Sequence, residues 1–230
     1  MLIGAHVSAA GGANKAIVRA EEIGAECFQI FASSPRMWSA KPVADAVVDK
    51  YAAEMKRTMM GPTVLHGKYL VALGSADPEL LAKSETALQA DIAAANKLSA
   101  LGVIFHPASH RGQGFEAIID QFATSVRKVL DNEPGDSLMM LETSAGAGDH
   151  IGSSFAELGT LIKAIGNDRV AVCLDTQHVF AAGYNIAVAD TLNAAIDEFD
   201  KEIGIGLLKA VHANDSMREL GSSVDRHENI

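Results

Sequence analysis

Short apolar runs alternate along the chain with longer segments that have helical periodicity. Seven apolar runs can be recognised: LIGAHV (2–7), CFQIF (27–31), TVLH (63–66), LGVIFH (101–106), SLMMLE (137–142), VAVCLD (170–175) and LLKAVH (207–212). Continuous apolar runs are typical of parallel strands that are covered on both faces. Because the runs alternate with helices, the pattern predicts an α/β fold with a parallel sheet and the helices outside it.

The segments between the runs carry recognisable helix signals. Asp77-Pro78 is typical of a helix start with proline at the first position, and Ser154 and Glu157 have the spacing of a capping box. We predict helices from about Ala13 to Gly24, over 43–59, over 77–98, from 115, from 154 to about 165 and over 189–201.

Two architectures are compatible with this alternation, a (β/α)8 TIM barrel and a doubly wound open sheet. A dinucleotide-binding doubly wound sheet needs a glycine-rich loop after its first strand, and the run GAHVSAAGG (4–12) lacks the GxGxxG spacing. We therefore predict a TIM-barrel type fold, with residues 1–230 forming a single domain. Seven strands are one fewer than this barrel requires, so we expect the eighth strand and the final helices to be missing from the C-terminal end.

Composition narrows the class of protein further. Hydrophobic residues make up 48% of the chain, but no apolar run approaches the ~18 residues that indicate a membrane span. The two cysteines lie inside strand-like runs, which favours a reducing cytoplasm over a disulfide framework. The net charge of −10 argues against nonspecific DNA binding through a basic surface, although bound cations can make one face of an acidic protein positive.

Five successive strands end on a residue type that binds metal ions. The residues are His66, His106, Glu142, Asp175 and His212. The C-terminal strand ends of a barrel share one face, where the active site is built, so these side chains should converge. Histidine with carboxylate and no thiolate suits zinc or manganese at a hydrolytic site.

Two further pairs of potential ligands follow these strands. In DTQH, Asp175 and His178 are three residues apart, and a tight turn after the strand could direct both at neighbouring metals. In DRH, Asp225 and His227 point the same way if the segment is extended. The chain then offers eight candidate ligands, which is enough for two or three cations.

Six sequence blocks resemble the successive signatures of the endonuclease IV family of AP endonucleases, within the xylose isomerase-like TIM barrels. The blocks are IGAHVSAAGG (3–12), HGKYL (66–70), FHPASH (105–110), LETSAG (141–146), CLDTQHVFAAGY (173–184) and HANDS…GSSVDRH (212–227). The resemblance spans the chain in the right order, and the last two blocks are the most specific.

The resemblance implies three zinc ions, or Mn²⁺ in one of the sites, and a set of ligands for each. The first ion would be held by His66, His106 and Glu142, the second by Glu142, Asp175 and His212, and the third by His178, Asp225 and His227. The implied reaction is hydrolysis of double-stranded DNA on the 5′ side of an abasic site, which leaves a 3′-hydroxyl. Glu142, Asp175 and His212 would be the catalytic residues, and the full-length protein would be a monomer.

The resemblance also implies residues that contact DNA. Arg36 and Trp38, in SSPRMW, resemble a DNA-probing loop of the family, and Tyr69 resembles its aromatic partner beside the abasic gap. A cation and aromatic rings are suited to a flipped or missing base. The alternative for Trp38 is ordinary packing in a loop.

The chain departs from the family pattern at several points. The family's DTCH is DTQH here, and Met217 stands where the family has lysine, but neither change removes a ligand. The family sequence continues beyond DRH to a further strand that carries a last glutamate ligand, whereas this sequence stops at Ile230. We therefore expect the second metal to lose a carboxylate and the 230-residue product to be much less stable and less active than a full-length relative.

Two other functions remain open at this stage. A sugar isomerase or epimerase on a similar barrel would use strand-end His, Asp and Glu for one or two metals. An inactive, truncated remnant of the nuclease would keep the signatures without a competent fold. The DTQH and DRH pairs together favour the three-metal nuclease, because an isomerase has no use for the third site.

Overall fold

A computed structural model describes residues 1–229 and confirms the alternation of strands and helices. The strands of the main sheet are β1 (Gly4–His6), β2 (Cys27–Phe31), β3 (Thr63–His66), β4 (Gly102–Phe105), β5 (Leu138–Glu142), β6 (Val170–Asp175) and β7 (Leu208–His212). The helices are α1 (Ala13–Glu22), α2 (Asp45–Thr58), α3 (Pro78–Lys97), α4 (Phe115–Asn132), α5 (Phe155–Ile165), α6 (Thr176–Ala181) and α7 (Ala189–Glu202). A two-stranded antiparallel hairpin, β8 (Asp215–Ser216) and β9 (His227–Glu228), follows β7.

The seven strands pair in parallel in the order in which they occur in the sequence, from β1 to β7. In a flat sheet, β3 and β7 would lie four strand spacings apart, which is about 19 Å. Instead, the ring centroids of His66 on β3 and His212 on β7 are 6.0 Å apart. The sheet therefore curls strongly, as the predicted TIM-barrel type requires.

The two faces of the strands contribute to different parts of the core. On β4, Val103 and Phe105 belong to the large cluster formed with the outer helices. Ile104 points the other way and packs with Met140 and Cys173 in a smaller cluster inside the curl. Because side chains alternate between the two faces, the last inward position on each strand lies at the C-terminal mouth of the curled sheet.

The sheet has two free edges within residues 1–229, because β1 pairs only with β2 and β7 only with β6. Exposed apolar side chains lie on or beside both edges, including Ile3 at β1 and Val211 on β7. No helix in the described part of the chain is both long and apolar enough to cross a membrane.

Local signals in the sequence have mixed outcomes. Asp77 caps α3 as predicted, since its carboxylate accepts hydrogen bonds from the backbone N–H groups of Glu79 and Leu80. Ser154 caps α5 by accepting from the N–H of Glu157 at 3.2 Å. The reciprocal half of the predicted capping box is wrong. The Glu157 carboxylate instead accepts from the backbone N–H groups of residues 152 and 153, which tightens the loop before the helix.

Candidate metal centre

Glu142, at the end of β5, lies at the centre of the predicted ligand cluster. Its Oε2 atom is 3.2 Å from Nε2 of His66 and 3.1 Å from Nε2 of His106. Its Oε1 atom is 2.7 Å from Nδ1 of His212. The Glu142 side chain is 2% exposed, so one buried carboxylate connects side chains that follow three different strands.

A second part of the cluster forms around α6 and the β8–β9 hairpin. Asp175 ends β6 and caps α6, and its Oδ1 atom accepts a hydrogen bond from the backbone N–H of His178 at 3.1 Å. The Nε2 atom of His178 is 3.4 Å from Oδ2 of Asp225, and Nε2 of His227 is 3.2 Å from Oδ1 of Asp225. The hairpin thus carries both residues of the DRH pair to the mouth of the sheet.

The structure brings all eight predicted ligands together. Three groups have ligand atoms within 4.8 Å of one another: His66, His106 and Glu142; Glu142, Asp175 and His212; and Asp175, His178 and His227. The first two groups have the composition that the family resemblance implies. The third contains Asp175 where the resemblance implies Asp225, and Asp225 lies beside both of its histidines.

The imidazole rings are oriented as metal-binding histidines usually are. The Nδ1 atom of His66 lies 2.9 Å from the backbone carbonyl oxygen of Gly67, and Nδ1 of His178 lies 2.7 Å from that of Thr143. Each carbonyl can only accept, so each Nδ1 donates, and the lone pair of a neutral ring remains on Nε2, which faces the cluster.

Two observations test whether these residues fit a cation. The Nε2 atom of His178 is buried, and Asp225, 3.4 Å away, does not complete a hydrogen bond to it, a state that is rare unless an ion or water is also bound. The donor set contains only imidazole nitrogens and carboxylate oxygens, which suit zinc and similar divalent metals. The residues therefore fit the metal site that the sequence predicts.

The mutual proximity of these groups shifts their proton affinities. Burial by itself would raise the pKa of Glu142, but the imidazoles of His106, His212 and His66 hold it well below its usual range. Burial lowers the pKa of His178, but the carboxylates of Asp225, Asp175 and Glu142 outweigh it and raise the value to about 9.

Sequence reasoning missed two residues that hydrogen-bond to predicted ligands. The side-chain amide of Asn214 donates to Oδ2 of Asp175 at 2.6 Å. The amide oxygen of Gln29 lies 2.8 Å from Nε2 of His212. Alternation along CFQIF could have revealed Gln29, because Phe28 and Ile30 belong to the outer core and the polar residue between them must face the inside of the curl.

The three residues predicted to contact DNA lie in loops at the rim of the site, in different environments. Arg36 is exposed, and Tyr69 is 58% exposed with its ring centroid 5.6 Å from that of His66. Trp38 is half-buried and packs against the core, as the packing alternative expects. The backbone N–H of Tyr69 donates to the carbonyl of Pro35 at 3.2 Å and joins the two loops.

A cavity of about 470 Å³ opens between these rim loops and the ligand cluster. Its lining includes Trp38, Tyr69, His106, Arg111 and His150. Aromatic and basic side chains thus border a space that reaches one of the predicted metal ligands.

The chain is similar in sequence and structure to known proteins. A family model described as a xylose isomerase-like TIM barrel matches residues 17–230. A probable endonuclease 4 from Chloroflexus aggregans is 38% identical over 229 residues, which are 99% of this chain and 80% of that protein. The structure of endonuclease IV from Thermus thermophilus matches with a TM-score of 0.89 and 34% identity, over 99% of this chain and 81% of that chain. A D-tagatose 3-epimerase-like protein matches with a TM-score of 0.70 but only 16% identity, over 93% of this chain and 76% of that chain, and shares the fold alone.

Proposed function

The chain belongs to the endonuclease IV family of xylose isomerase-like TIM barrels, and we propose that it hydrolyses double-stranded DNA on the 5′ side of abasic sites with a zinc cluster. The observation that carries this proposal is the set of three adjoining ligand groups, in which Glu142 and Asp175 are each shared by two groups. Shared carboxylates hold cations close together, which is the arrangement that stabilises both the attacking and the leaving oxygen of a phosphodiester.

We assign the ligands as His66, His106, Glu142, Asp175, His178, His212, Asp225 and His227. When bound, zinc neutralises charge on the phosphate and lowers the pKa of water to about 7. The protein's own contribution is to fix the ligands. The carbonyls of Gly67 and Thr143 orient two imidazoles, and Asn214 holds one oxygen of Asp175. The burial of Glu142 and Asp175 strengthens their attraction for cations, because little water is present to screen it.

We propose that the rim loops recognise the damaged strand. Arg36 would contact a phosphate, and the exposed ring of Tyr69 would stack in the gap that the missing base leaves, next to His66. Trp38 is half-buried, so we propose that it mainly stabilises the loop and that only the exposed part of its ring is available to DNA.

An assay on abasic duplex DNA distinguishes this function from sugar epimerisation. With zinc present, the protein is expected to cut a duplex oligonucleotide with one tetrahydrofuran abasic analogue on its 5′ side, leaving a 3′-end that a polymerase extends. An intact duplex of the same sequence should remain uncut, and free ketoses should not be converted. Gel analysis of end-labelled strands and polarimetry of the sugars provide the two measurements.

Chelation followed by zinc readdition is the control, because it removes the cations and leaves the chain unchanged. Activity should disappear with chelator and return with zinc. Conversion of ketoses without cutting of abasic DNA, or equal cutting of intact and abasic duplexes, would contradict the proposal.

Zinc affinity is expected to increase from about pH 7 to about pH 9. In the metal-free protein, His178 binds a proton below its pKa of about 9, so a cation must displace that proton, and the competition weakens as the pH rises. Calorimetry in buffers of different ionisation enthalpy should detect proton release on zinc binding near neutral pH. A zinc affinity that does not change over this range would contradict the displacement of a proton from His178.

A further inference from the structure

We infer that Gln29 is a positioning residue that keeps the proton of His212 on Nε2, so that Nδ1 faces the metal centre with a free lone pair. The inference rests on the proposed metal cluster and adds a residue from β2, a strand that contributes no ligand. Gln29 lies at an inward position on that strand and is half-buried.

Two hydrogen bonds hold the Gln29 amide between histidines of two other strands. Its Oε1 atom is 2.8 Å from Nε2 of His212 on β7. Its Nε2 atom is 2.9 Å from Nδ1 of His6 on β1. Since an amide oxygen only accepts and an amide nitrogen only donates, His212 must donate to Gln29, and His6 must accept from it.

The direction of these two hydrogen bonds determines what the other ring nitrogen of His212, Nδ1, can do. A neutral imidazole has one N–H, so a proton held on Nε2 leaves a lone pair on Nδ1. That Nδ1 atom is 2.7 Å from the carboxylate of Glu142 and 3.8 Å from that of Asp175, inside one of the three ligand groups. Because a carboxylate can only accept, Nδ1 also carries a proton in the metal-free protein, and a bound cation would take the place of that proton. If the amide were reversed, its N–H would face Nε2 and the proton would lie on Nδ1, where it would repel a cation. The contact with His6 fits the orientation described, in which Nδ1 of His6 accepts from the amide nitrogen.

The position of Gln29 in the sheet gives this contact a second role. Within residues 1–229, the hydrogen bond from His212 to Gln29 is the only one that joins β7 to the first two strands. The ring of His212 would otherwise be fixed only from the cluster side. Outer hydrogen-bond partners of this kind typically change metal affinity by about 10–100-fold when they are removed.

Three variants separate positioning from a general effect on folding. Gln29→Leu removes both hydrogen bonds, and Gln29→Glu keeps an oxygen that accepts from His212. Gln89→Leu is the matched control, because Gln89 is also half-buried but bonds Glu133, on a helix face outside the cluster. Zinc affinity is measured by competition with a chromophoric chelator, and nitrogen-15 spectra of the zinc-loaded protein show which nitrogen of His212 carries the proton.

We expect Gln29→Leu to weaken the binding of one zinc equivalent by about 10-fold or more, with Gln29→Glu and Gln89→Leu within about 3-fold of the wild type. The spectra should show a protonated Nε2 and a coordinated Nδ1 on His212 in the wild type. Equal zinc affinity in Gln29→Leu and wild type, or coordination of His212 through Nε2, would overturn this inference and leave the proposed function intact. A wild-type protein that binds no zinc would overturn both.

Discussion

Replacing Glu142 with glutamine is expected to lower the rate of abasic-site cutting by about 10³-fold or more and to reduce the bound zinc more than any other single substitution in the cluster. Glu142 belongs to two of the three ligand groups, and its two oxygens reach His66, His106 and His212. Glutamine keeps the shape of the side chain but removes the charge, and its NH₂ group places donors where lone pairs should converge.

The same substitution should leave the metal-free chain folded, because it creates no cavity, but less stable, because it removes a charge that the neighbouring imidazoles favour. Elemental analysis, cutting rate and thermal unfolding of the metal-free form are the measurements. Glu85→Gln is a suitable control, because Glu85 is also partly buried but pairs with Lys128 on the outer helices. If Glu142→Gln retained wild-type zinc and activity, the shared carboxylate would have no role in the centre.

Replacing Lys68 with methionine is expected to destabilise the metal-free protein by about 3–5 kcal/mol. The Nζ atom of Lys68 is 2.7 Å from Oδ1 of Asp91, and the two side chains are only 2% and 3% exposed. The other carboxylate oxygen of Asp91 is buried without a hydrogen bond. Without the ammonium group, Asp91 would remain as a buried and unpaired charge, which is far more costly than removing the pair as a whole.

The pKa of Asp91 determines how the stability loss in Lys68→Met changes with pH. Burial raises the pKa of this carboxyl above its usual value, and Lys68 opposes the shift only in part. A group with a raised pKa in the folded state favours folding when it is protonated, and this contribution is lost as the pH increases. The loss of stability in Lys68→Met should therefore be smallest in acid and should grow toward neutral pH.

Urea unfolding of the variants at several pH values measures both the loss of stability and its dependence on pH. The double substitution of Lys68→Met with Asp91→Leu should recover much of the lost stability, because it removes the unpaired charge. Lys83→Met, which breaks an exposed pair with Glu79, should cost no more than about 1 kcal/mol. Equal losses in Lys68→Met and Lys83→Met would contradict the role assigned to the buried pair.

The sequence was sufficient to predict the strand ends and most of the side chains that converge at the candidate site. Residues such as His66, Glu142 and Asp175 stand at the ends of unbroken apolar runs, where the alternation of side chains and the shared mouth of a barrel determine their direction. The start of α3 at Asp77 was equally predictable, because proline and an acceptor side chain act locally.

Features that depend on distant contacts could not be predicted in this way. The short helix α6 forms after Asp175, where we expected only a tight turn, and the β8–β9 hairpin brings Asp225 and His227 back to the mouth. Gln29 acquires its role only because the curl brings β2 within reach of His212, which is 183 residues later in the sequence. The reciprocal capping bond is absent because the Glu157 carboxylate accepts instead from two backbone N–H groups of the preceding loop.

The sequential order of the strands has a consequence for how the chain folds. Each strand of the sheet pairs with the one made just before it, so a growing chain can add strand–helix units one at a time with short loops to close. The first ligand group needs only β3 to β5. The other two groups include His212 and His227 and cannot form until β7 and the hairpin are in place. Completion of the cluster is therefore a late event in folding, and a cation bound there would act mainly by slowing the unfolding of a sheet that is already formed.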